Sequence, residues 1–216
     1  MTFNRSSLKL PKFTAMARTK AFDEQQVLDK ALNLFWEKGY NGTSIQDLVD
    51  RLGINRASIY DTWGNKHQLY LASLARYRQH ASHWLLAQIR SDKPAREIIQ
   101  SFLYNTIEQG VNDEKRKGCF VVNSCTELAN QDIDVRGMVK ENRETMEKVF
   151  SAIIQEGQET GEFNTAADSL TLAKYLYNTV TGLRVSMQGD TTIEELKAVA
   201  DISLSTLLNT SNQTNS

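Results

Sequence analysis

The stretch SIQDLVDRLGINRASIYDTW, residues 44–63, decides the fold. Ser44 precedes Ile45, Leu48 and Leu52 at helical spacing, and Asp47 stands three residues after it, an acidic variant of the capping box. Gly53 closes that segment and Ile54 leads into Asn55, a second good N-cap. Ile59 and Trp63 then share a helix face at i,i+4 before Gly64-Asn65 stops the run. Two helices of about eight residues joined by a tight glycine turn form a helix-turn-helix.

Outward from this core the helical period continues. Upstream, Val27, Ala31, Leu34 and Phe35 lie on one face from Asp23 on, and Gly39 stands where a left-handed C-terminal residue belongs. Downstream, a long helix from about Lys66 to Ile89 carries Leu69, Leu74, Tyr77, Ala81, Trp84 and Leu85 as its stripe. Beyond Pro94, placed at an N1 position, helices are predicted near 95–111, 119–130, 134–160, 167–188 and 192–209. No segment alternates as a strand does, and no fixed-period repeat occurs. The predicted fold is all-α. A flexible basic arm (1–20) precedes an N-terminal three-helix helix-turn-helix domain (21–66), a helical body (67–209) and a disordered tail (210–216).

Composition narrows the function. Hydrophobic residues make up 40% and charged residues 24% of the 216, the balance of a soluble globular protein. No run reaches the roughly 18 apolar residues of a membrane helix. Lys9, Pro11 and Lys12 interrupt Leu8, Leu10 and Phe13, so an export signal is not expected and the location read from the sequence is cytoplasmic. Met16 opens Met-Ala-Arg-Thr-Lys and is a second candidate start. Residues 1–70 hold 10 Lys+Arg against 7 Asp+Glu, and residues 71–216 hold 15 against 19, so a basic front on an acidic body points to a polyanionic partner. Phosphate-loop glycines, a nucleophile elbow and His/Cys metal spacing are missing, and Asn123, Cys125 and Glu127 form no recognisable catalytic set, so no enzyme activity and no cofactor are expected. His80 and His83 stand at i,i+3 without a third ligand, so no metal is expected.

The second short helix has the chemistry of a major-groove reader, which presents short polar or basic side chains near its N-terminus. Arg56 can bond guanine O6 and N7 as a fork; its alternative is a phosphate or surface role. Asn55 reads as a cap, although it sits where a base contact is also open to it. Ser44, Ser58, Tyr60, Thr62 and Lys66 are candidate phosphate ligands, with Ser44 equally readable as a plain cap.

Gly39-Tyr40-Asn41-Gly42-Thr43-Ser44-Ile45, Leu48, Leu52-Gly53-Ile54 and Ala57-Ser58-Ile59-Tyr60-Asp61-Thr62-Trp63-Gly64-Asn65-Lys66 resemble the N-terminal domain of TetR-family transcriptional regulators. The resemblance implies phosphate contacts most firmly for Tyr60 and Lys66. It also puts Gln46 where some members read a base, with plain solvent exposure as the alternative. Asp61 departs from the aromatic or basic residue of many relatives, which bears on sequence preference. Trp63 replaces the usual Phe and reads as a core residue.

The resemblance further implies a ligand-responsive repressor: a homodimer on a palindromic double-stranded operator, released by a small-molecule effector. The dimer would form through the last two helices, whose apolar residues Leu170, Leu176, Val180 and Leu183, then Val199, Ile202 and Leu204, cover more than one side. One such DNA-binding domain makes too few contacts for selectivity, which independently asks for two. Candidate effector-pocket residues are Trp84, Phe102, Tyr104, Cys119, Phe120, Asn123, Phe150 and Tyr177, each also readable as core. Cys119 follows Lys115-Arg116-Lys117-Gly118 at a helix start. Some relatives that sense electrophiles carry a similar Gly-Cys, so it reads either as a reactive thiol or as a small buried residue. The rival classes are a helical enzyme and an interaction module with a vestigial helix-turn-helix.

Overall fold

A computed structural model describes residues 22–89 and 93–208, with side chains described over 22–80 and 93–208. The predicted arm and tail lie outside these residues, as do the side chains of His83 and Trp84. Among the described residues the chain is all-α. Its helices are α1 (Glu24–Lys38), α2 (Ile45–Leu52), α3 (Arg56–Trp63), α4 (Lys66–Ile89), α5 (Ala95–Val111), α6 (Phe120–Glu127), α7 (Ile133–Glu159), α8 (Ser169–Ser186) and α9 (Ile193–Leu207).

Three local differences from the sequence reading have physical causes. Pro94 is the N-cap of α5 rather than its first residue: its backbone is extended, and its carbonyl accepts from the Ile98 amide at 3.1 Å. Gly39 has a positive φ of 73° but an extended ψ of 173°, because the next two amides turn away to a carboxylate on α6. The helix expected over 119–130 stops at Glu127. Arg136 reaches back from α7 and donates to the carbonyls of Ala129 at 2.7 Å and Asn130 at 2.9 Å, fixing that segment as a turn.

Two apolar cores organise the helices. The rear core joins α5, the C-terminal half of α7, α8 and α9 around Phe102, Phe150, Leu176 and Leu204. The front core holds Phe35, Leu48, Ile59, Leu69 and Leu74, and it continues into Phe120, Val121, Leu128 and Val135. The helix-turn-helix is therefore built onto α6 and the start of α7 as well as on α1 and α4. Tyr70, fully buried, stands at this junction: its ring meets Phe35, Tyr40 and Phe120 edge-on, and its hydroxyl lies 2.7 Å from Ser124 Oγ. Burial pushes that phenol up to about 12.

Candidate nucleic-acid interface

Hydrogen bonds at the helix starts place α2 and α3. Ser44 Oγ accepts from the Asp47 amide at 3.0 Å while Asp47 Oδ2 accepts from the Ser44 amide at 2.8 Å, a complete capping box. Lys38 Nζ at 2.6 Å from Asp47, with the Ser44 bonds, holds that carboxyl far below its usual range. Gly53 turns the chain at φ 72°, ψ 23°, a left-handed geometry that glycine adopts without strain. Asn55 Oδ1 accepts from the Ser58 amide at 2.8 Å. Ser44 and Asn55 thus both act as caps, as their sequence context suggested.

α3 has one fully buried residue, Ile59, supported by Trp63, whose ring stacks on Phe22 at 6.4 Å. Arg56, Ala57, Tyr60 and Asp61 face outward. Arg56 and Tyr60 follow one line at i,i+4, both exposed, and Arg56 has no ion pair among the described residues. Ser58 and Thr62 follow a second line and are partly buried. Asp61 is exposed and likewise without an ion pair among the described residues. On α2, Gln46 is exposed and donates to Asp50 at 2.8 Å. Lys66, in the first turn of α4, lays its Nζ 4.1 Å over the Tyr40 ring, and burial lowers its pKa.

Four contacts tie these helices to the body. Glu127, the last residue of α6, accepts from the amides of Tyr40 at 3.1 Å and Asn41 at 2.8 Å. Trp36 Nε1 donates to the Gly118 carbonyl at 3.2 Å. Glu37 pairs with Arg51 at 3.1 Å and with Lys115 at 2.8 Å. His67 pairs with Asp132 at 2.6 Å. Sequence reasoning weighed Glu127 only as a member of a catalytic set and missed its contact with the α1–α2 turn. One signal was available: a carboxylate in the last turn of a helix sits against the macrodipole and needs a partner elsewhere.

The seven effector candidates with described side chains do not converge on one cavity. Phe102 and Phe150 meet edge-on at 5.2 Å inside the rear core, and Phe120 is buried in the front core. Tyr104 donates to Asp201 at 2.6 Å at the surface between α5 and α9. Asn123 donates to the Lys117 carbonyl at 2.8 Å. Tyr177 lines a cavity of about 510 Å³ between α6, α7 and α8, with Val121, Cys125 and Val139. Cys119 lines another of about 310 Å³ with Trp36, Tyr77 and Arg184. Cys119 is the N-cap of α6 and 3% exposed, whereas Cys125 is exposed.

Among the described residues, His67, Asp132 and Asp134 bring possible metal-ligand atoms within 4.8 Å of one another. Asp132 is otherwise engaged: one oxygen accepts the amides of Asp134 and Val135, each at 3.0 Å, and the other faces His67. The group works as the cap of α7 and as the partner of the His67 ring.

Comparison with known proteins agrees with this geometry. Residues 27–73 match the family model described as bacterial regulatory proteins, tetR family, and residues 96–201 match that of the tetracyclin repressor-like C-terminal domain. YezE of Bacillus subtilis (strain 168), an uncharacterised helix-turn-helix-type transcriptional regulator, is 30% identical over 193 residues, which cover 89% of this chain and 100% of YezE. ComR of Escherichia coli (strain K12), a helix-turn-helix-type transcriptional repressor, is 29% identical over 188 residues, covering 87% of this chain and 90% of ComR. A cysteine mutant of the TetR family transcriptional regulator CifR, solved with 26-bp double-strand operator DNA, is similar at a TM-score of 0.78 and 26% identity, covering 88% of this chain and 99% of CifR.

Proposed function

This chain belongs to the tetR family of bacterial regulatory proteins and is a DNA-binding transcriptional regulator, and from that premise we propose that it is a homodimeric repressor of a palindromic operator, released by an effector bound in its body. The observation that carries the DNA reading is α3 itself. A helix with a single fully buried residue gains little from its own core, and its outward face bears Arg56 and Tyr60. In this reading Arg56 forks onto a guanine. Ser44, Ser58, Tyr60, Thr62 and Lys66 hold phosphates, while Asn55 presets the helix by capping it. Gln46 reads or flanks a base from α2. Lys66 leaves the Tyr40 ring for a phosphate oxygen.

Dimerisation is supported by the two sides of α8 and α9. One side, with Leu176, Val180, Leu196 and Leu204, closes the rear core. The other leaves Tyr175, Val199 and Ile202 exposed along a groove of about 540 Å³. Apolar residues gathered on one surface mark an interface, and the pairing of two chains there spaces the two copies of α3. Effector control is supported by the contacts at both ends of α6, where Gly118 meets Trp36 and Glu127 meets the α1–α2 turn. A shift of α6 moves the helix-turn-helix, and linkage requires that operator DNA weaken effector binding by the same factor.

Salt dependence of DNA binding tests the interface. Fluorescence anisotropy on duplexes derived from the source genome is expected to show affinity falling steeply with salt, as several neutralised phosphates require. Lys66→Ala is expected to reduce the slope of log affinity against log salt by about 1 and to weaken all sequences alike. A flat salt response would instead fit the vestigial interaction module.

A thiol-reactive effector is a second reading, favoured by the guanidinium of Arg184, whose Nη1 lies 3.5 Å from Cys119 Sγ. On this reading Cys119 alkylates faster than exposed Cys125 in the native protein, despite its burial. Mass mapping after brief labelling reads the two rates, and equal or slower modification of Cys119 rejects a sensing role.

A further inference from the structure

Arg184 is a cation inside the body that no carboxylate among the described residues answers. It lines the cavity of about 310 Å³ together with Trp36, Tyr77, Lys117, Cys119 and Met187. Its one hydrogen bond among the described residues is the long one to the Cys119 sulfur, 3.5 Å. A guanidinium carries five N–H donors in a planar fork, and a single thiol leaves most of them unused. The other charges at the cavity are already committed. Lys117 Nζ lies 4.2 Å over the Trp36 ring and 3.8 Å from Asp113. Asp113, the one acidic residue of the lining, spends its oxygens on the amides of Lys115 at 3.3 Å and Lys117 at 2.8 Å. Those bonds hold a tight turn in which Arg116 takes φ 47° and Gly118 φ 66°. The cavity therefore presents two cations against one engaged carboxylate, with aromatic and thioether surface beside them.

A partly shielded guanidinium without a counter-charge is unfavourable, and the fit that relieves it is a planar anion taken in bidentate geometry. We propose that this cavity is the effector site and that it takes a small organic carboxylate: the carboxylate pairs with Arg184, and the apolar body packs on Trp36, Tyr77 and Met187. The proposal rests on the reading of the body as an effector domain and names the ligand class. The volume fits the low end of small-molecule pockets. The position fits regulation. The ligand lies at the start of α6, beside the carbonyl of Gly118 that Trp36 holds, and the far end of that helix grips the Tyr40 and Asn41 amides through Glu127.

Cys119 makes the cavity testable without knowing the natural ligand. The full chain is treated in parallel with iodoacetate and iodoacetamide, one a small carboxylate and the other its neutral amide. Each alkylates sulfur by forming an S–C bond as iodide leaves. Peptide mapping gives the iodoacetate-to-iodoacetamide rate ratio at Cys119, with exposed Cys125 as the internal reference. The ratio at Cys119 is expected to exceed that at Cys125 by about tenfold or more, the scale of one close charge in a partly shielded site. Arg184→Gln should bring the two ratios together, and Arg184→Lys should keep part of the preference. Equal ratios in the unmutated chain, an unchanged preference in a folded Arg184→Gln variant, or no modification of Cys119 by either reagent would overturn the proposal. The wild-type ratio decides by itself if the glutamine variant does not fold. Operator binding is measured on the same samples: a retained ratio without DNA binding would sink the regulatory reading and leave the carboxylate site standing.

Discussion

Replacing Val199 and Ile202 together by glutamate is expected to leave the chain folded, convert it to a monomer and weaken operator binding by about 10²–10⁴, the gain that a second linked half-site supplies. The two residues stand one turn apart on α9, 49% and 65% exposed, so neither contributes to the rear core. That core is closed by Leu196, Ala200, Leu204 and Leu207 on the opposite side of the helix. Glutamate is a good helix former, so α9 persists. Four carboxylates brought together across a two-fold axis would be desolvated without partners, which an interface does not tolerate. Sedimentation gives the oligomeric state and far-UV circular dichroism the fold. A variant that stays dimeric would place the contact between chains on another surface.

Arg56→Ala should produce the second large loss, and it should be selective. A bidentate arginine–guanine contact discriminates by about 1–3 kcal/mol, here once in each half-site. Arg56 is exposed and makes no ion pair among the described residues, and it supports no core, so its removal should not alter thermal stability. Competition binding against operator variants would show the preference relaxed at one base pair per half-site, with affinity for random DNA nearly unchanged. Equal losses on specific and random duplexes would make Arg56 a phosphate ligand. This pattern is the reverse of that expected for Lys66, whose contribution is to every sequence.

What could be read before the structure was local chemistry. Ser44 with Asp47, Gly53, Asn55 and Gly64 each act on amides or carbonyls within four residues, so their spacing alone located α2 and α3. The helical period likewise located the long helices of the body, with ends displaced where a distant side chain intervened. Arg136 taking the carbonyls of Ala129 and Asn130 is such a case, and Glu127 drawing the chain away at Gly39 is another. Pairings of that kind join residues far apart in sequence, and no periodicity encodes them. The same holds for the candidate sites. The outward residues of α3 were legible because a short helix with few apolar positions must expose the rest. The body's aromatic residues were not, because Phe102 and Phe150 fill a core by the same chemistry that would fill a pocket. The residue that distinguishes the cavity is a charge, Arg184, standing between Leu183 and Val185, and its meaning depends on there being no carboxylate opposite it among the described residues. The extent of the front core past Lys66, into Phe120 and Leu128, is a further feature that only tertiary packing defines.

Selection from a pool of random duplexes at physiological ionic strength, followed by native mass measurement of the recovered complexes, tests the central claim most directly. Two copies of the α3 segment reading neighbouring turns of one duplex should enrich an inverted repeat with half-site centres about 10 bp, or a multiple of that, apart. Each enriched duplex should carry an even number of chains. Recovery of no enriched sequence, or of a single unrepeated site bound by one chain, would contradict it.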